Sequence, residues 1–195
     1  MILPILHFGH PVLQQTGVKV REVTDAIRRL AHDMLETMYE ARGVGLAAQQ
    51  IGQAIQITVL DVRGTERPSQ LFVGVREVAL DSMLPLVLIN PQITQSQGQE
   101  IGVEGCLSFP GITADISRAS TVHVSATGLA GCPLQFVATG LLSRAVQHEI
   151  DHLNGILFID RMIPSVRSPF EEDLVRLKKE TLAALKKGHK GKLKA

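Results

Sequence analysis

The segment His148-Glu149-Ile150-Asp151-His152 places two imidazoles four residues apart, with a carboxylate next to the first. On a helix, such residues project from one face a turn apart, so both rings can grip one metal ion. Glu149 then stands beside a ligand without occupying a ligand position, within reach of water at the metal. That is the arrangement of metal-assisted hydrolysis, with a carboxylate as proton shuttle. The competing reading is a pair of surface or core histidines. Three fixed positions in a chain of 195 residues with only seven histidines make that reading the weaker one.

A catalytic site of this kind takes three protein ligands and leaves one position open. From His148 to Phe158 the chain follows H-E-x-x-H-x-x-G-x-x-H, until Phe158 stands where a third histidine belongs. That route is closed. Glu172, twenty residues past His152, is the ligand a thermolysin-like metallopeptidase would use. Against it, Pro164 and Pro169 interrupt the connection, and Glu171-Glu172-Asp173 reads as an acidic first turn favoured by the helix dipole. Cys106, in Glu104-Gly105-Cys106-Leu107-Ser108-Phe109-Pro110-Gly111, offers a soft, charged thiolate beside two neutral imidazoles. On these residues alone both candidates stay open, as does an inert Cys106. Cys132, in Ala130-Gly131-Cys132-Pro133, reads as an ordinary turn cysteine, and two cysteines make no disulfide framework.

The elements that must position these residues are legible in outline. Apolar residues at Val23, Ile27, Leu30, Met34 and Met38 predict a helix from Asp25 to about Arg42, capped by Thr24 and stopped by Gly43 and Gly45. Strands are expected at Ile55–Val62, Leu86–Asn90, Thr121–Ala126 and Leu134–Ala138. Asn90-Pro91 and the stretch 95–102 read as turns and loops, and 63–82 as a long surface loop with one short strand. A second helix should start at a Thr139 cap, carry both histidines and end near Asn154-Gly155. A last helix runs from Phe170 to about Lys187. Without alternating crossover helices, the class is α+β: mainly antiparallel sheets around a central metal-binding helix, with N-terminal and C-terminal helices.

Composition narrows the function. With 45% hydrophobic and 20% charged residues, the chain builds a real core. No apolar run approaches a membrane span, and Met1–Ile5 is too short for a secretory signal. Aromatic residues are 4%, with no Trp and one Tyr, which leaves little for a base-stacking platform. The expectation is a cytoplasmic protein with neither membrane nor DNA as partner. The net charge of +1 hides an asymmetry: residues 176–195 hold eight Lys/Arg against Glu180 alone. Residues 1–175 therefore carry −6 and the tail +7. The tail is either a solvated helix whose Leu174, Leu177 and Leu185 pack one edge, or an electrostatic address.

Three segments resemble one family. Gly43-Val44-Gly45-Leu46-Ala47-Ala48-Gln49-Gln50 is similar to the G-x-G-L-A-A-x-Q motif of peptide deformylases. Glu104-Gly105-Cys106-Leu107-Ser108 matches that family's E-G-C-L-S, and Gln147–Gly155 its Q-H-E-x-D-H-L-x-G. They occur in family order over 43–155, with Phe8-Gly9 and Pro11-Val12-Leu13 resembling the family's opening. The resemblance implies removal of the formyl group from N-formylmethionine of nascent polypeptides. It implies one divalent metal ion held by Cys106, His148 and His152, commonly ferrous iron, with zinc, nickel or cobalt accommodated. Glu172 is then not a ligand. Glu149 is the proton shuttle, and Gln50 with the Leu107 N–H the oxyanion donors. The backbone of Val44 and Gly45 holds an extended peptide, and Val44, Leu141 and Ala145 are candidates to line a slot for methionine. Gln49, at the variable position, has no assigned role. The basic tail becomes a candidate ribosome contact, on a single catalytic domain of residues 1–175. Two departures bear on substrate contacts. His10 sits where the family usually has an acid, and Gly111–Ile116 lacks the usual arginine, for which Arg118 is the expected substitute.

Overall fold

The structure is a computed structural model describing residues 1–192; Lys194, counted in the basic tail, lies outside the described residues. The first long element follows from the spacing of apolar side chains after Thr24. Helix α1 (Asp25–Glu40) starts where the Thr24 hydroxyl accepts the Ile27 N–H, and it buries Ala31, Met34 and Met38. Its stop precedes the expected glycines. Arg42 takes the left-handed conformation, φ 55°, while the Gly43 N–H bonds the Met38 carbonyl at 2.9 Å. For a residue with a Cβ that conformation costs roughly 1–2 kcal/mol.

Short strands follow: β1 (Gly45–Ala47), β2 (Ile57–Leu60), β3 (Leu71–Val73), β4 (Arg76–Val78), β5 (Leu86–Gln97) and β6 (Glu100–Gly105). Then come β7 (Thr113–Arg118), β8 (Thr121–Thr127) and β9 (Pro133–Thr139). In β8, Val122, Val124 and Ala126 alternate inward, as a half-buried strand requires. The large sheet has the order β1-β2-β5-β8-β9-β3-β4, and β6–β7 forms a separate hairpin. Every ladder is antiparallel, in agreement with the α+β expectation.

Helix α2 (Gly140–Leu153) packs on β1, β2 and β9, and nearly all of its residues are buried. Leu88, Val124, Phe136, Leu142 and Val146 fill the space between helix and sheet. Met34, Met38, Leu46 and Val59 join α1 to β1 and β2. A third cluster surrounds Phe109 and Phe158, and Leu174 closes it. After α3 (Pro164–Arg167) and a 3-10 turn, α4 (Glu171–Lys192) carries Leu174 buried, with Leu177 and Leu185 half-buried on one edge. Among the described residues, no helix is long and apolar enough to cross a membrane.

Four local expectations fail for identifiable reasons. Asn90-Pro91 is not a turn, because β5 runs through it. Asn90 takes φ 52°, the register shifts between Ile89 and Gln92, and the Asn90 side chain satisfies both the N–H and the C=O of Val20. A side-chain amide thus stands in for a neighbouring strand at the bulge. The stretch 95–102 is the end of β5 and the start of β6, and 63–82 holds two short strands rather than one. Thr139 begins α2 without a side-chain cap. The loop before β3 supplies the cap instead: the Leu141 N–H bonds the Pro68 carbonyl at 3.1 Å, and the Leu142 N–H the Ser69 hydroxyl at 3.0 Å. Gly140, at φ 60°, is needed there because a Cβ would collide with the Pro68 carbonyl. Ser69→Ala should therefore lower stability by about 1 kcal/mol in urea melts, whereas Thr139→Ala should change it by less than about half that.

Candidate metal centre and active site

Helix α2 delivers His148 and His152 from one face, with ring centroids 5.0 Å apart and planes inclined by 72°. The turn after β6 brings Cys106 to meet them, its Sγ lying 3.2 Å from His152 Nε2. That turn is pinned by the Phe109 N–H on the Cys106 carbonyl and the Phe8 N–H on the Ser108 carbonyl. Ligand atoms of Cys106, His148 and His152 all lie within 4.8 Å of one another. Donors around a tetrahedral ion are separated by about 3.5 Å, so this set fits one ion. Burial drives His152 well below the ordinary imidazole pKa, with the neighbouring His148 acting in the same sense, so the ring is neutral and its lone pair available. Glu172 is exposed on the first turn of α4 and, among the described residues, belongs to no such cluster. The thermolysin-like alternative is not supported, since the donor that gathers with the two histidines is Cys106, from the turn after β6, rather than a residue of a following helix.

Behind the ligands lies a set of charges absent from the sequence reading. Glu104, only 5% exposed, accepts Arg118 Nε at 2.9 Å and Nη2 at 3.0 Å, Arg144 Nη1 at 2.8 Å, and His148 Nδ1 at 3.0 Å. Burial alone would raise its pKa, but the His148 and Arg118 hydrogen bonds hold it down to about 2. With Nδ1 engaged by Glu104, Nε2 is the His148 nitrogen that a metal ion could use. Arg118 also pairs with Asp151, which is held from the solvent side by Arg161. Arg118 is thus sealed behind the ligands and is no substitute for a substrate-edge arginine. Charged residues among the buried positions of α2, Arg144 and Asp151, were the available signal for this network. His10 plays a local part, its Nδ1 accepting the Val12 N–H at 3.3 Å as the cap of a 3-10 turn.

The first motif closes the other side. Gln50 is 1% exposed, and its Oε1 accepts the Ala47 N–H at 2.8 Å. That fixes the amide so that Nε2 points to Ser108 Oγ at 3.3 Å and Cys106 Sγ at 3.5 Å. The Leu107 N–H makes no hydrogen bond among the described residues. Glu149 is buried, its Oε2 has no hydrogen-bond partner among the described residues, and burial raises its pKa to about 7 against the opposing influence of His148. A Cβ on Gly45 would collide with the Glu149 carboxylate, so a glycine there is what lets the acid sit against the strand. Gln49, without a role in the sequence, is a clamp. Its Nε2 donates to the Leu153 carbonyl at 3.1 Å, which also receives Gln56 Nε2 at 2.9 Å and the Gly17 N–H at 2.8 Å.

A cavity of about 710 Å³ opens on these groups. Gln50, Cys106, Leu107, His148 and Glu149 line its reacting end, and Val44, Gly45, Leu141, Arg144 and Ala145 are among its other lining residues. His152 stands behind the lining.

An α+β fold wrapped around a His-Glu-x-x-His helix, with a thiol completing the donor set, defines a class of small metallohydrolases. The comparisons specify which. The family profile for polypeptide deformylase matches residues 2–168. A peptide deformylase of Methylacidiphilum infernorum is 42% identical over 179 residues, 92% of this chain and 94% of the relative. One from Opitutus terrae is 42% identical over 188 residues, covering 95% and 98%. The crystal structure of the Thermus thermophilus peptide deformylase superposes with a TM-score of 0.77 at 38% identity, over 92% of this chain and 99% of that one. The chain belongs to the polypeptide deformylase family. It is a hydrolase that removes the formyl group from N-formylmethionine of nascent polypeptides.

The Glu104 network generates a stability prediction. Glu104→Ala leaves two buried guanidinium groups without their shared anion and should cost about 3–5 kcal/mol in denaturant melts. A loss under about 1 kcal/mol would show that water replaces the carboxylate.

Proposed function

We propose that Cys106, His148 and His152 hold one divalent metal ion, ferrous iron in the cell, and that Glu149, Gln50 and the Leu107 N–H carry the hydrolysis. The supporting observation is the convergence of one thiol and two buried imidazoles within 4.8 Å at the end of a largely apolar cavity. Iron rests on the family resemblance; zinc, nickel and cobalt suit the same donors.

When bound, the ion supplies Lewis acidity that makes water a nucleophile at neutral pH. The backbone of Val44 and Gly45 receives the peptide in extended form, and the methionine side chain enters among Val44, Leu141 and Ala145. Water adds to the formyl carbon. Gln50 Nε2 and the Leu107 N–H donate to the oxygen that becomes negative, a contribution of about 3 kcal/mol per donor. Glu149, kept near neutrality in pKa by its burial, takes the proton from water and gives it to the departing amine nitrogen. Formate and a free methionine amino terminus leave.

We assign the catalytic unit to residues 1–175 and place the enzyme in the cytoplasm, where reducing conditions keep the Cys106 thiol available. Iron- or nickel-loaded protein should release formate from formyl-Met-Ala-Ser under reducing conditions. Glu149→Gln should lower kcat by about a thousandfold while retaining metal. Cys106→Ala should lose metal by elemental analysis, and Glu172→Ala should keep it. Retention of metal by Cys106→Ala would overturn the ligand set.

The lysine-rich end, residues 176–195, we assign to contact with ribosomal RNA, since the substrate is a nascent chain. Eight Lys/Arg fall there, and Lys178, Lys179, Lys186 and Lys187 are exposed along α4. Replacing Lys186 and Lys187 by Glu should weaken ribosome affinity and flatten its dependence on salt. Unchanged affinity would leave this end as a solvated helix.

A further inference from the structure

We infer that Arg42 and Arg67 make the enzyme favour nascent peptides with an acidic residue shortly after the formylmethionine, an inference that rests on the deformylase reading above. The cavity is lined by six charged residues besides His148: Arg42, Glu66, Arg67, Glu104, Arg144 and Glu149. Three of them are buried and committed. Glu104 is neutralised as described, and Glu149 stands at the reacting end. Arg144 gives its guanidinium to Glu104 and to the carbonyls of Gly102, Ile116 and Glu100. The exposed remainder is Arg42, Glu66 and Arg67, a rim of net positive charge on a body of −6.

Among the described residues, the Arg42 side chain makes no hydrogen bond or ion pair, and neither does that of Glu66. Arg67 gives one bond, from Nη1 to the Val103 carbonyl at 3.1 Å, which holds it across the cavity against β6. Both guanidinium groups therefore keep donors for a ligand.

Their placement along the peptide follows from the backbone. Gly45 abuts Glu149 at the reacting end, and Arg42 lies three residues back along the same wall. An extended peptide advances about 3.3 Å per residue, so a chain running outward from the reacting end past the turn at 42–44 brings a residue shortly after the formylmethionine to the side of the cavity that Arg42 lines. The conformation of Arg42 is an independent indication. It holds the left-handed position that ends α1, φ 55°, where glycine is the unstrained choice. The fold does not account for an arginine there, and such outliers cluster where a side chain serves binding.

The test uses the metal-loaded full chain and three peptides with amidated C-termini: formyl-Met-Ala-Glu, formyl-Met-Ala-Gln and formyl-Met-Ala-Lys. At low salt, kcat/KM should be about tenfold higher for the Glu than for the Lys peptide, with Gln between, and the contrast should shrink in high salt. Arg42→Glu should reverse the order. Arg42→Gly should weaken the preference yet raise Tm, because it relieves the left-handed strain, so a folding defect is not confused with a lost contact. Equal kcat/KM for the three peptides would overturn the inference, as would a preference that survives in the Arg42→Gly, Arg67→Ala double variant. Hydrolysis of the Gln peptide in those cases leaves the deformylase reading standing. Hydrolysis of none of the three would bring down that reading and this inference together.

Discussion

The Glu104 carboxylate is the constraint around which the rest is arranged. An anion this deeply buried is tolerable only where cations and donors surround it. Arg118 comes from β7, Arg144 and His148 from two successive turns of α2, and Glu104 itself from β6. One carboxylate thus ties the hairpin that carries Cys106 to the helix that carries both histidines. The bond to Nδ1 also sets which nitrogen of His148 is left to face the thiol and the second imidazole. Stability and ligand geometry are, at this point, one interaction.

Other contacts extend that tie until the ligands have little freedom. Asp151 holds Arg118 from the far side, so the guanidinium is fixed at both ends. The C-terminal end of α2 is held by three donors on the single Leu153 carbonyl, two of them the buried amides of Gln49 and Gln56. The N-terminal arm contributes as well: the Leu6 N–H bonds the Gln50 carbonyl and the Phe8 N–H the Ser108 carbonyl. Gln50 and the Cys106 turn are thereby set against each other by one short segment of chain. Such redundancy is what a preorganised site needs, since an ångström of slack at an oxyanion donor removes most of its effect.

The sequence discloses the candidate reacting groups better than their supports, and the reason is physical. Two histidines and a glutamate on one helix are a local pattern, as are the alternation of β8 and the spacing of Met34 and Met38 in α1. The partners of Glu104 lie 14 to 44 positions away, and nothing local announces a pairing over that distance. The Asn90 bulge is invisible for the same reason, because the groups it satisfies belong to Val20. Thr139 misleads because a good capping residue type was present while a better-placed carbonyl and hydroxyl came from Pro68 and Ser69. Arg118 misleads because an arginine near a cysteine is equally suited to a substrate and to a buried acid. Only the neighbouring Glu104 and Asp151 decide between the two.

The Gly43–Gly45 pair shows how a single residue type carries different demands. Read locally, two glycines after a helix are its stop signal, yet Arg42 takes the left-handed turn. Gly43 and Gly45 answer to side chains that approach them: Leu107 at the first and Glu149 at the second. Removing the Cβ at Gly45 brings the Glu149 carboxylate against backbone and away from bulk water. That desolvation is the largest influence on its pKa, and it moves the acid from a permanent anion toward a group able to accept and return a proton near neutrality. The glycine therefore acts on the chemistry through the space it leaves empty.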